Sequence, residues 1–231
     1  MPFTWSSSPP PPWPARDAGP VNLDDLTASL HERFDAKTAA RERALPAARR
    51  SIRSSANAIR AVHRGEFELS RELMDESHAA LREGLEGLGD HADVRYAGYL
   101  LDAEKEYAEA RLTYALVTAE PLPSPTELGV GDAPFLNGVA ETIGEGRRHI
   151  LDLLRLGEAE RAERVLGDLE DLYGVLVTMD YPDAITMNLR RSTDVARSLI
   201  EKTRGDLSIA FVQRDLHDAL ERHTERLRGD G

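Results

Sequence analysis

Cysteine is absent from the 231 residues, which excludes disulfide frameworks, thiolate zinc sites and cysteine nucleophiles. Lysine is nearly absent. Lys37, Lys105 and Lys202 are the three, so arginine supplies the other 26 of 29 basic side chains. Aromatics make up only 6%. No apolar run approaches the roughly 18 residues a membrane span needs, and mean hydropathy is −0.44. The opening MPFTWSSSPPPPWPARD lacks the basic start and apolar stretch of a secretory signal. HExxH, a glycine-rich phosphate loop after a strand, and a tetratricopeptide-like period are missing too. Strand signals are nearly absent, and the lack of alternating β and α segments argues against Rossmann-type and Asp-nucleophile hydrolase folds. These absences lead to the expectation of a soluble, cytoplasmic protein.

What the chain does have is acid. Forty-one Asp and Glu against 29 Lys and Arg give a net charge of −12. Acid excess with little lysine resembles a halophile surface, although GC-rich coding also favours arginine over lysine. At molar salt the Debye length shrinks to about 3 Å, and such a surface no longer repels a polyanion at a distance.

Residues 1–21 carry seven prolines and read as a disordered Pro/Ser-rich tail. From Asn22 to Arg228 the pattern is helical almost throughout, and it predicts one all-α domain, a bundle of about seven helices. The predicted helices run about 22–63, with a kink or restart at Pro46, then 66–88, 93–118, 133–156, 158–177, 188–203 and 206–228. Gly65, Gly87, Gly157 and Gly205 serve as punctuation. PLPSP breaks the chain after 118, and YPDAIT makes a turn before 188.

Charge is segregated. Arg41–Arg64 holds seven arginines and one glutamate, whereas Gly65–Arg95 holds nine acids and three arginines. At 100° per residue, Arg49, Arg53, Arg60 and Arg64 fall within about 60° of one another, beside an apolar stripe of Leu45, Ile52, Ala56 and Ile59. A basic ridge next to a core face suits phosphate contacts. Pairing with the acidic helix that follows is the bland alternative. Arg190, Asp194, Arg197 and Glu201 form a second, alternating ladder, equally suited to intrahelical pairs.

The third predicted helix places Tyr96, Tyr99, Ala103, Tyr107, Ala110 and Tyr114 on its apolar stripe. Asp102, Glu106 and Glu109 lie one position out of phase, at the edge of that face. The fourth helix repeats the arrangement with Glu141 and Glu145 beside Val139, Ala140, Ile143 and Ile150. Gly138, Gly144 and Gly146 lie among these acids. Each glycine costs a helix roughly 1 kcal/mol against alanine, so a helix or a ligand is expected to approach closely. If the two helices pack side by side, Glu106, Glu109 and Glu141 converge on an oxygen-only site. Such a site suits Mg²⁺ or Mn²⁺ rather than zinc. The competing reading is surface acids on an acidic protein.

RSIRSSANAIRAVHRGE (50–66), YAGYLLDAEKEYAEA (96–110), FLNGVAETIGEGRR (135–148) and YPDAITMNLRRSTDVARSLIEKTRGDL (181–207) together resemble the translin superfamily, on the side of translin-associated factor X. The resemblance spans about residues 41–220. It implies a seven-helix fold that assembles into a closed, octameric shell, here a homo-oligomer. It also implies single-stranded RNA and DNA as partners, and a Mg²⁺-dependent endoribonuclease site. The family's Glu-x-x-Glu pair falls on Glu106 and Glu109. Its third acid, an Asp in a GVADxxGE context, falls on Glu141, a departure that lengthens the carboxylate by one methylene. Glu145 matches a further acid of the same motif, as an additional metal-site residue. Arg49, Arg53, Arg60, Arg64, Arg190 and Arg191 match the family's basic regions more loosely, as nucleic-acid contacts. The expectation is therefore a Mg²⁺-dependent endoribonuclease on single-stranded RNA, with a non-catalytic single-stranded RNA/DNA-binding scaffold as the alternative.

Overall fold

The computed structural model describes residues 22–229; the expected 1–21 tail lies outside them. Among the described residues every regular element is a helix: α1 (Leu23–His63), α2 (Phe67–Leu85), α3 (Ala92–Arg95), α4 (Gly98–Thr118), α5 (Pro125–Leu128), α6 (Asp132–Arg155), α7 (Ala159–Val177), α8 (Asp183–Thr186) and α9 (Leu189–Gly229). Six are long and three are single turns. None is long and apolar enough to cross a membrane. The all-α expectation holds, with three differences in connectivity, the first being that the helix expected over 93–118 is divided at Tyr96 and Ala97 into α3 and α4. Helix α1 runs unbroken through Pro46, where Ala44, Ala47 and Ala48 are buried on both sides of the proline. Helix α9 runs unbroken through Gly205, with Thr203 and Leu207 buried around it. In both places burial of neighbouring side chains outweighs a local helix-breaking preference.

The chain divides into two units, Met1–Ala39 and Ala40–Gly231. Of the first, residues 23–39 are helical and are preceded by Asn22, whose side-chain oxygen accepts from the Asp24 N–H at 3.0 Å. Leu23, Leu26, Leu30 and Phe34 recur along these turns at helical spacing and are exposed.

In the second unit α4 is the central element. Its Ala103, Tyr107, Ala110 and Tyr114 pack with Ile59 and Val62 of α1 and with Met74 and Leu81 of α2. On another face its Leu112 and Leu116 join Ile143 and Ile150 of α6, Leu169 of α7 and Ile200 of α9. A helix buried on so many sides has no single apolar stripe, and this reshapes the expected one. Tyr96 falls outside α4 and is exposed, whereas Leu100, Leu112 and Glu104 are fully buried.

The buried face of α1 likewise differs from the expected row. Small residues form it, namely Ala44, Ala47, Ala48, Ser51, Ser55, Ala58 and Ala61 with Ile59 and Val62. Leu45, Ile52 and Ala56 sit at its margin, half-buried. Small side chains let α2 approach closely, and a Cβ on Gly84 would stand 3.3 Å from Ala47 Cβ and 3.3 Å from Leu100 Cδ2. The hydroxyls this approach buries satisfy one another, with Ser77 Oγ 2.9 Å from Ser51 Oγ and 2.7 Å from Ser55 Oγ.

Candidate metal centre

The seam between α4 and α6 brings the predicted acids together. Gly138, one turn before Glu141, sits against the backbone of α4. A Cβ there would stand 3.0 Å from the Lys105 carbonyl oxygen, 3.1 Å from Ala108 Cβ and 3.1 Å from the Glu109 nitrogen. Only a residue without a side chain permits that approach. Gly146, two turns on, makes room for Leu116 and Leu169 in the same way. At Gly144 the nearest neighbour is an ordinary 3.7 Å contact with Leu199. Two of the three glycines in α6 therefore serve helix packing. Asn137 fixes the start of α6 by donating to the Thr186 carbonyl at 2.9 Å and accepting from Ser192 Oγ at 3.0 Å.

With the helices so close, Glu106 and Glu109 of α4 and Glu141 of α6 each offer a carboxylate oxygen, all within 4.8 Å of one another. Exposure grades across the cluster: Glu109 is buried, Glu106 half-buried and Glu141 exposed. Among the described residues this is the one grouping of three or more acids, histidines or cysteines close enough to share an ion. Burial is the chief cause that pushes the Glu109 carboxyl up to about 9, reinforced by the charges of Glu141, Glu106 and Glu145. Burial also raises Glu106, against the opposing pull of Lys105. Crowded, partly desolvated carboxylates are held apart from their ordinary titration until a cation reaches them.

Glu145 lies outside the three-oxygen cluster. Its Oε2 is 2.5 Å from His63 Nε2, and this hydrogen bond holds Glu145 below the usual carboxylate range despite its partial burial. It ties the end of α1 to α6, while its charge is still felt at Glu109.

Two side chains that the sequence reading passed over complete the picture. Lys105 Nζ is 2.7 Å from Glu141 Oε1 and 3.4 Å from Glu106 Oε1. Burial works against its charge more than any other single influence, yet Glu141 and Glu106 together raise its pKa. Its position directly before the first motif acid, Glu106, in a chain with two other lysines, was the available signal. Glu104, fully buried, pairs with Arg95 at 2.8 Å and accepts from the Gly131 N–H at 2.9 Å. It anchors the loop that leads into α6.

The arginines separate into two groups. Arg50 reaches Glu83 of α2 at 2.5 Å, Arg43 donates to the Glu86 carbonyl at 3.2 Å, and Arg64 pairs with Glu66 at 2.6 Å. Arg49, Arg53 and Arg60 are exposed and form no ion pair among the described residues, Arg60 donating to Asn57 Oδ1 at 2.7 Å. Cross-helix pairing thus engages the flank of the ridge and leaves its middle open. Arg190 and Arg191 are exposed at the start of α9. None of these side chains forms an ion pair with the three clustered acids.

The donor set fits a small, hard dication: three carboxylates, no soft ligand, and a buried member with no cationic partner. It would hold Mg²⁺ or Mn²⁺ through Glu106, Glu109 and Glu141.

No family model matches the chain. An uncharacterized protein of Methanocaldococcus jannaschii is 30% identical over 195 residues, which are 84% of this chain and 85% of that protein. Among solved structures, AfC3PO in a complex with duplex RNA is 29% identical with a TM-score of 0.77, and AfC3PO alone is 29% identical with a TM-score of 0.76. Each match covers 82% of this chain and 98% of the other. Apo-NeC3PO, 23% identical over 84% of this chain and 99% of its own, has the same fold with a TM-score of 0.71. With sequence and fold in agreement over more than four-fifths of its length, the chain belongs to the translin superfamily.

Proposed function

We propose that the protein is an RNA-binding, metal-dependent endoribonuclease that cleaves single-stranded RNA at the α4–α6 seam. The observation that carries this reading is the convergence of Glu106, Glu109 and Glu141 oxygens within 4.8 Å, with Glu109 buried. Held there, Mg²⁺ would supply Lewis acidity for activating water and offsetting charge on a phosphodiester. Glu109, buried on the central helix, sets the depth of the site, while exposed Glu141 forms its rim. Gly138 fixes the separation of the two rows of carboxylates. The His63 hydrogen bond keeps Glu145 ionised beside them, adding negative potential that favours a dication. Arg49 and Arg53 present exposed guanidinium forks to phosphate oxygens, as do Arg190 and Arg191, while Arg60 shares its fork with Asn57.

Two further features support the reading. AfC3PO, similar over 82% of this chain, was solved with duplex RNA, so a duplex probe belongs beside the single-stranded RNA and DNA ones. Ile209, Val212, Leu216 and Leu220 form an exposed apolar row on the second half of α9, and Leu23 to Phe34 form another on the first turns of α1. Apolar rows of this length call for a partner surface, which suits a homo-oligomer of the octameric kind.

Purified protein with Mg²⁺ should cut a labelled single-stranded RNA, and Glu109→Gln should stop the cutting while RNA binding persists. Binding by both proteins without turnover by either would favour the non-catalytic scaffold, the reading to which Glu141 in place of the family's Asp lends support.

A further inference from the structure

We infer that Lys105 is a resident counter-ion of the carboxylate centre, one that a divalent cation must displace in order to bind. The inference rests on the metal-centre reading above and goes beyond it by naming a competitor built into the chain.

The geometry is specific. The Lys105 ammonium contacts oxygens of two of the three clustered acids, at 2.7 Å from Glu141 and 3.4 Å from Glu106. A dication shared by the cluster would draw on the same two carboxylates. The lysine side chain is 19% exposed, so it lies within the seam and does not wave in solvent. Its backbone is also pinned, because the Lys105 carbonyl is what a Cβ on Gly138 would strike at 3.0 Å. The close approach that assembles the acids therefore holds the lysine over them as well.

The choice of residue points the same way. A chain that uses arginine at 26 of 29 basic positions uses lysine here. An arginine would grip a carboxylate with a planar two-pronged fork. An ammonium is a compact point charge on a flexible stem, which can swing away without breaking a bidentate pair. Without metal, the ammonium offsets the repulsion between Glu106 and Glu141 and keeps them converged. When a dication arrives, the same charge opposes it. Lys105 therefore preorganises the site and raises the metal concentration needed to fill it.

A residue that merely supported the site would weaken metal binding when removed, whereas a competitor strengthens it. Mn²⁺ titration followed by the electron paramagnetic resonance of free Mn²⁺ separates the two. The set is the full chain, Lys105→Met, Lys105→Arg, and Glu109→Gln as the control that removes a ligand. Lys105→Met should bind Mn²⁺ about tenfold more tightly than the unaltered chain, from the loss of one positive charge in the ligand sphere. Lys105→Arg should bind no more tightly than the unaltered chain, and Glu109→Gln should lose the site. Equal or weaker binding by Lys105→Met, with the unaltered chain still binding, would overturn the role of Lys105 and leave the metal centre standing. Absence of Mn²⁺ uptake by both would overturn the metal centre itself. Mn²⁺-soaked crystals of the unaltered chain give a readout that needs no variant. Lys105 Nζ beyond about 4 Å from Glu141 in the loaded site supports displacement, and an unchanged pair contradicts it.

Discussion

Glu104 and Glu109 lie five residues apart on α4 and both are buried, yet their surroundings have opposite sign. Glu104 faces Arg95 at 2.8 Å and the Gly131 N–H at 2.9 Å. Glu109 faces Glu106, Glu141 and Glu145, and its carboxyl is pushed up to about 9 by burial and by those charges. The first carboxylate has been given its counter-charge by the fold, and the second has not. Burial alone does not mark a functional acid. The mark is burial among like charges, because such a group is stabilised only when something from outside brings the missing positive charge.

Substitution at the two positions should therefore fail in different ways. The largest effect belongs to Glu109→Gln, which should reduce Mg²⁺-dependent RNA cleavage at least about 100-fold in a single-turnover assay, since even groups that only orient a metal ligand contribute 10–100-fold. Glu104→Gln should leave cleavage by the folded protein intact but destabilise it by about 3 kcal/mol, because Arg95 is left without its partner. Urea denaturation with the cleavage assay alongside distinguishes the two. If Glu104→Gln abolished cleavage at full stability, the contrast would collapse.

Gly138→Ala probes the seam that makes Glu109 what it is. The added methyl must move Lys105 or Glu109 backbone by a few tenths of an ångström. That overpacking should destabilise the chain by about 2 kcal/mol and weaken Mn²⁺ binding together. Loss of stability with unchanged Mn²⁺ affinity would mean that the site tolerates a wider seam.

A further effect is the dependence of stability on pH in the metal-free protein. Glu109 keeps its proton in the folded chain up to about 9, against an ordinary value of 4.5. Between those limits the folded state binds the extra proton, so this group makes the chain less stable as pH rises and contributes nothing below the window. Glu109→Gln should flatten that decline and melt at least about 3 °C higher than the unaltered chain at the alkaline end. The two should converge toward pH 4.5. Parallel melting curves would show that Glu109 is ionised in the fold.

Much of this was legible before any coordinates. Helical periodicity with glycine and proline punctuation gave the elements. The out-of-phase spacing of Glu106, Glu109 and Glu141 anticipated their convergence. Local rules failed where distant packing decides. Pro46 and Gly205 look like breaks, but buried neighbours carry the helix through both. The expected α4 stripe is buried from Ala103 to Tyr114, but Tyr96 falls outside the helix, and Glu104, Leu100 and Leu112 are buried as well because partners pack on several faces of α4. Large apolar residues drew attention on α1, where alanine and serine form the contact. Pairs far apart in the chain, His63 with Glu145 and Arg95 with Glu104, leave no spacing signature at all. Lys105 lay in plain view, but its contact with Glu141 crosses two helices.

Anomalous scattering from crystals soaked in Mn²⁺ tests the account most directly. The predicted result is a peak bonded to Glu106, Glu109 and Glu141, with none beside Glu104. A map with no peak at the α4–α6 seam, collected at Mn²⁺ concentrations that support RNA cleavage, would contradict it.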